Sequence, residues 1–216
     1  VCYKEKPPIG IFMREWLTLY NSKSGERGIY NRQSAVEKSL ENGRRDSEHD
    51  FGTNPCSEII LRPYQFCNLT EVVVRSDDTM ATLIKKVELS SILGTFQSTL
   101  TDFKYLRKIW RDNTEEERLL GVSLTGIMDS KLLNGANDPH LETRLKDLKK
   151  IAVQTNKEYA ERLNIQQSTA ITCVKPSGTV SQLVDSASGI HARHSPYYIR
   201  TVRGDKKDPL TRFMIE

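Results

Sequence analysis

Asn54-Pro55-Cys56-Ser57-Glu58 places an amide, a thiol and a carboxylate at alternate positions within five residues. In an extended segment, side chains two apart point to the same side, so all three are expected to face one ligand together. Pro55 removes a backbone donor and keeps residue 54 out of helix, which predicts a stiff loop tip. A carboxylate in reach of a substrate proton serves as a general base, and an amide both donates to and accepts from hydroxyl groups. A second thiol, Cys67, follows eleven residues on, beyond an Arg62-Pro63 break that can turn the chain back, so the two thiols are expected to share a pocket. Taken singly, each cysteine reads as a small buried hydrophobe, as most free cysteines are. The set is harder to read as core filling, because the amide and the carboxylate would each cost free energy if buried without partners.

A second constellation follows a strand-like run, Thr169 to Val174. Lys175-Pro176-Ser177-Gly178 reads as a loop, and Thr179-Val180-Ser181 as the opening of a helix that runs on to Val184. Strand, glycine loop and helix in that order aim free backbone N–H groups, with two or three hydroxyls, at an anion. Pro176, Ser177, Gly178, Thr179, Val180 and Ser181 are therefore candidate phosphate-binding residues, while Ser-Gly-Thr is equally an ordinary helix cap. The G-x-x-x-x-G-K-[ST] spacing of a nucleoside triphosphatase is absent. Arg193, Arg200 and Arg203 are candidates to neutralise phosphate or to sit solvated at the surface. His191 and His194 have no third ligand near them in sequence, and no metal site is expected. Cys173, inside the strand-like run, reads as a buried structural thiol.

These groups need a scaffold. Ile11 to Leu17 reads as a short helix, followed by a polar, turn-rich run and an uncertain helix before Asp50. Strand character appears at Ile59 to Leu61 and at Glu71 to Val74. From Thr79 to Leu163 the pattern is helical, and the spacing of Thr114 and Glu117 predicts a capping box that starts a helix there. Leu141, Leu145, Leu148, Ile151, Ala152, Tyr159, Ala160 and Leu163 make one apolar stripe on a long helix. Tyr197 to Arg203 is a further strand candidate, and alternating strands and helices predict a parallel α/β fold. No apolar run approaches the roughly 20 residues of a membrane span. The net charge of +4 is spread along the chain, which favours a small anionic ligand over nucleic acid. The four cysteines form no C-x-x-C pair, so reduced thiols in a cytoplasmic enzyme are expected.

Asn54-Pro55-Cys56-x-Glu58, Phe66-Cys67-Asn68-Leu69 and Lys175-Pro176-Ser177-Gly178-Thr179-Val180-Ser181 resemble the large catalytic chain of ribonucleotide reductases. The short spacing to Cys67, the proline before Cys56 and the run from Phe66 to Val74 are most similar to the adenosylcobalamin-dependent class, and within it to enzymes that reduce ribonucleoside triphosphates. The resemblance implies that residues 1–216 are a fragment of a single catalytic domain, a ten-stranded α/β barrel with the radical cysteine on a central finger loop. It implies that Cys56 carries a thiyl radical, Glu58 acts as general base on the ribose 3′ hydroxyl and Asn54 holds the ribose hydroxyls. Cys67 would be one half of a dithiol whose partner lies outside this chain, reset by a thioredoxin-like reductant. The loop from Pro176 to Ser181 would hold the substrate phosphates. A reductase of diphosphates with a separate radical-generating subunit, and a non-catalytic nucleotide-binding module, are the alternative readings.

Overall fold

The computed structural model of the chain describes residues 7–24, 28–41, 44–135, 138–199 and 201–216. Helices α1 (Ile9–Ser22) and α2 (Arg32–Leu40) precede a short antiparallel hairpin of β1 (Gly52–Thr53) and β2 (Ile60–Leu61). Strand β3 (Asn68–Val73), helices α3 (Met80–Gln97) and α4 (Lys108–Glu117), strand β4 (Leu120–Thr125) and the long helix α5 (Leu141–Arg162) follow. The chain closes with the short helices α6 (Thr179–Leu183) and α7 (Pro209–Ile215).

β3 and β4 pair in parallel, in register from Asn68 opposite Leu120 to Val73 opposite Thr125. The run predicted as a strand at Thr169 to Val174 lies extended and parallel beside β4, but its ladder is reduced to one bridge, Val122 with Thr172. The Leu120 and Val122 amides donate to the consecutive carbonyls of Ala170 and Ile171. Two residues of β4 thus span one of its neighbour, as in a bulge, and regular pairing stops there.

Side chains alternate across this sheet, and the two faces differ in kind. Val72, Val74, Leu120, Val122 and Ile171 form one buried cluster with Leu83 and Val87 of α3 and Leu148 and Ala152 of α5. The apolar stripe predicted for α5 is therefore the surface that covers this face. α3 starts at a reciprocal cap between Thr79 and Thr82. Asn156 of α5, fully buried, donates to the Thr95 and Ser168 hydroxyls, both at 3.0 Å, and accepts from the Ser168 amide. That one amide ties both helices to the start of the third extended run.

Three expectations are corrected. Thr114 and Glu117 do not begin a helix; both are buried in the last turn of α4, which ends at Arg118 in the left-handed conformation. Glu117 is committed to a buried ion pair with Arg45 and has no cap to make. The helical reading of Thr79 to Leu163 missed β4, whose mixed composition hides a strand buried on both faces. Tyr197 to Arg203 holds no strand among its described residues; Tyr197 and Ile199 are more than 90% exposed, with no neighbouring strand to pair with.

The Arg45 and Glu117 side chains are each only 4% exposed. Arg45 donates from Nε and Nη2 to Glu117, at 3.1 and 2.9 Å. Gln65 donates to Glu117 and accepts from Arg45 and the Arg62 amide, joining the end of α4 to the base of the hairpin. Removing one partner of such a pair strands the other charge in a poorly solvated site. Glu117→Ala is expected to destabilise the chain by about 3–5 kcal/mol in denaturant titration, and the isosteric Glu117→Gln by less.

Candidate functional site

The hairpin forms because Asn54 and Pro55 occupy the first two positions of a turn closed by the Ser57 amide donating to the Asn54 carbonyl at 3.0 Å, with Ser57 at φ 63°. The loop tip expected from Pro55 is present, whereas the strict alternation that would place three side chains on one side is not. The turn itself brings Asn54 and Glu58 together. Asn54 Nδ2 donates to Glu58 Oε2 at 2.5 Å, and Asn54 Oδ1 accepts from the Ile59 amide at 3.0 Å. Cys56 stands exposed at the tip, while Asn54 and Glu58 are half-buried at its root.

The root rests on the sheet face opposite α3 and α5, at Gly121. A Cβ there would lie 2.4 Å from Leu69 Cδ2, 3.1 Å from Cys173 Sγ and 3.2 Å from Ile59 Cδ1. Only a residue without a side chain lets the hairpin, β3 and the third run meet at this point. By the same alternation, Cys67, Leu69 and Glu71 of β3 and its approach share this face with Ser123 and Lys175. Lys175 Nζ lies 3.8 Å from Glu71, and the Lys175 amide donates to Ser123 Oγ at 2.9 Å. Gly121 was not singled out from the sequence, although an isolated glycine in an apolar run is a signal of close approach.

The three described thiols differ. Burial pushes the Cys67 thiol up, and the charge of Glu58 adds to it. Burial, then Glu58 and Cys67, push Cys173 up to about 12. Glu58 thus acts electrostatically on both thiols, and Cys173 belongs to the same surroundings as Cys67 in place of a separate structural core. Cys2 lies outside the described residues.

The loop from Pro176 to Ser181 sits where the sequence places it, and α6 follows. Gly178, Thr179 and Val180 are exposed. The expected cradle of hydroxyls is not formed: the Ser177 hydroxyl is buried without a partner, and Ser181 Oγ turns inward to the Ser177 and Gly178 carbonyls. Backbone N–H groups and the Thr179 hydroxyl remain for an anion.

A strap from residues 184–193 holds this loop. Arg193 grips Asp129 from Nε and Nη2, at 3.0 and 3.1 Å, and reaches Asp185 from Nη1 at 2.7 Å. Asp129 also accepts from the Ala187 amide at 2.8 Å, and Thr125 Oγ1 accepts from Gly189 at 2.9 Å. Ser188 Oγ donates to the Ser177 carbonyl and completes the brace. Gly189 has φ 54°, and a Cβ there would lie 2.9 Å from the Lys175 carbonyl oxygen. Arg193 is thus spent on carboxylates, Arg203 is exposed, and Arg200 lies outside the described residues. Among the described residues, no three His, Cys, Asp or Glu side chains converge to hold a metal ion. No helix among them is long and apolar enough to cross a membrane.

No family model matches the chain. It is 28% identical over 222 aligned residues to an adenosylcobalamin-dependent ribonucleoside-triphosphate reductase of Lacticaseibacillus paracasei, covering 90% of this chain and 29% of that protein. A reductase of the same name from Lactobacillus leichmannii is 29% identical over 182 residues, covering 74% of this chain and 24% of the relative. The chain is similar to these reductases. It spans less than a third of their length. Among solved structures, a B12-dependent (class II) ribonucleotide reductase superposes with a TM-score of 0.54 at 24% identity, over 72% of this chain and 23% of that one. The mixed α/β fold of the chain resembles part of that reductase structure.

Two outcomes test the site. With iodoacetamide at pH 8, peptide mass spectrometry is expected to find Cys56 alkylated first and Cys173 protected until the chain unfolds, because the thiolate is the reacting species. Burial pushes the Asp129 carboxyl up, but the Arg193 guanidinium and the Ala187 amide outweigh it and hold it below the usual range. A depressed folded-state value means that the strap's contribution is complete above the unfolded value of about 3.9 and is lost as pH falls through the folded one. The Ala187 amide resonance is therefore expected to titrate only below about pH 4, and not at all in Asp129→Asn.

Proposed function

We propose that this chain is part of the single catalytic domain of an adenosylcobalamin-dependent ribonucleoside-triphosphate reductase, which converts ribonucleotides to 2′-deoxyribonucleotides for DNA synthesis. The observation that carries the reading is the hairpin: an exposed Cys56 at its tip, with Asn54 bonded to Glu58 at its root, laid on the sheet face that bears Cys67. In this reading the hairpin is the finger loop of a ten-stranded α/β barrel, and β3, β4 and the run from Thr169 to Val174 are three of its parallel strands. The names of the similar reductases support the cofactor and the triphosphate substrate.

Of the described thiols, Cys56 is the exposed one, and so the one a bulky cofactor can approach. Adenosylcobalamin, when bound, supplies a carbon-centred radical. Cys56 gives up its hydrogen atom, takes the 3′ hydrogen of the ribose, and returns it at the end of the turnover. Glu58 accepts the 3′ hydroxyl proton, and its bond to Asn54 holds it ready. Asn54 orients the ribose hydroxyls. Cys67 and a partner thiol outside this chain supply two electrons and two protons; the 2′ hydroxyl leaves as water and the thiols close to a disulfide. A thioredoxin-like protein of the cytoplasm resets that disulfide by thiol exchange. The exposed backbone of Gly178, Thr179 and Val180, within the Pro176–Ser181 loop, receives the phosphates.

Cys56→Ser in the intact enzyme is expected to abolish deoxynucleotide formation while leaving nucleotide binding within about twofold, as measured by product chromatography and calorimetry. Turnover by that variant would overturn the assignment of Cys56. Turnover without added adenosylcobalamin, or a preference for diphosphates, would instead favour a reductase served by a separate radical-generating subunit.

A further inference from the structure

We propose that the cavity between the end of α2, Arg44, α5 and the start of the extended run at Thr169 is a second phosphate-binding site, with Arg44 as its principal ligand. The cavity has a volume of about 170 Å³, and Lys38, Arg44, Lys149 and Thr169 line it. Arg44 is half-buried, and no hydrogen bond or ion pair engages it among the described residues. A guanidinium stays charged at any working pH, so burying it without a counter-ion costs free energy that a bound anion offsets. Burial lowers the tendency of Arg44 to hold its proton.

Lys38 pairs with Glu41, and the same carboxylate feels Lys149, so one negative charge serves two ammonium groups. Thr169 Oγ1 is buried with no hydrogen-bond partner. Arg45 also borders the cavity, but Glu117 consumes its charge. Glu58, on the wall toward the hairpin, is bonded to Asn54. A planar fork, two flanking ammonium groups and a hydroxyl suit a dianionic group with several oxygens better than a single carboxylate. Thr169 and Lys175 stand at opposite ends of the extended run, roughly 20 Å apart at the rise of a strand. No one phosphoryl group reaches both this cavity and the Pro176–Ser181 loop, and the inference does not rest on the reading of that loop.

The test is titration of the full chain with inorganic phosphate, followed by calorimetry and by the side-chain Nε–H resonances of ¹⁵N-labelled arginine. Saturable binding that shifts Arg44 is expected, weakened at least tenfold in Arg44→Gln and several-fold in Lys149→Gln, and unchanged in Lys85→Gln, an exposed position on α3 away from the cavity. Lys149→Gln, on the surface of α5, keeps the test decisive should Arg44→Gln fold poorly. A ribonucleoside triphosphate that binds tenfold tighter, with the same Arg44 shift, identifies a nucleotide as the source of the phosphate; equal affinity identifies the free ion. Absence of saturable binding, equal affinity in both variants, or acetate binding as tightly as phosphate would overturn the proposal.

Discussion

The parallel register of β3 with β4 sorts the chain's chemistry from its core, because in a strand every second side chain points the same way. From Asn68 opposite Leu120 to Val73 opposite Thr125, one set of residues faces α3 and α5 and is mainly apolar, with Thr70 among its valines and leucines. The other set carries Cys67, Glu71 and Ser123 and meets Cys173 and Lys175 from the third run. A slip of one residue would exchange the faces, placing a thiol and a carboxylate under the helices and valines in the site. The buried Val72, Val74, Leu120 and Val122 hold the register against that slip.

Upon this sheet, the hairpin depends on two local solutions. Asn54 spends its amide on the Ile59 backbone and on Glu58, so the turn and the orientation of the carboxylate are set by one side chain. Gly121 supplies the space into which Ile59, Leu69 and Cys173 converge. The buried Arg45–Glu117 pair, with Gln65, fixes the far end of the hairpin to α4. Such a pair adds little net stability over an apolar replacement, but its geometry admits few alternatives.

At the other end of the sheet, the Pro176–Ser181 loop is held from outside itself. Its serine hydroxyls are turned inward or buried, and the strap through Arg193, Asp129, Thr125 and Ser188 supplies the bonds that shape it. With its serine hydroxyls turned away, the loop keeps its exposed backbone N–H groups and the Thr179 hydroxyl for an anion.

The sequence by itself determined the parts that rest on local chemistry. The stripe from Leu141 to Leu163 makes α5, Asn54-Pro55 makes a tight turn, and Lys175 to Ser181 makes a loop before a helix. The residues of the candidate site, Asn54, Cys56, Glu58 and Cys67, were legible from type and spacing alone. Tertiary structure decided the rest. Thr114 and Glu117 carry the letters of a helix start, yet Glu117 is drawn into a buried pair with Arg45, 72 positions away in sequence. β4 looks like part of a helical region because its two faces meet different partners, and neither face is visible in a local pattern. That Cys173 shares the surroundings of Cys67 and Glu58, that Arg193 serves Asp129, and that Arg44 is half-buried without a counter-ion among the described residues are facts of long-range packing. Periodicity and capping act over a few residues, whereas burial and charge pairing act between segments that only the fold brings together.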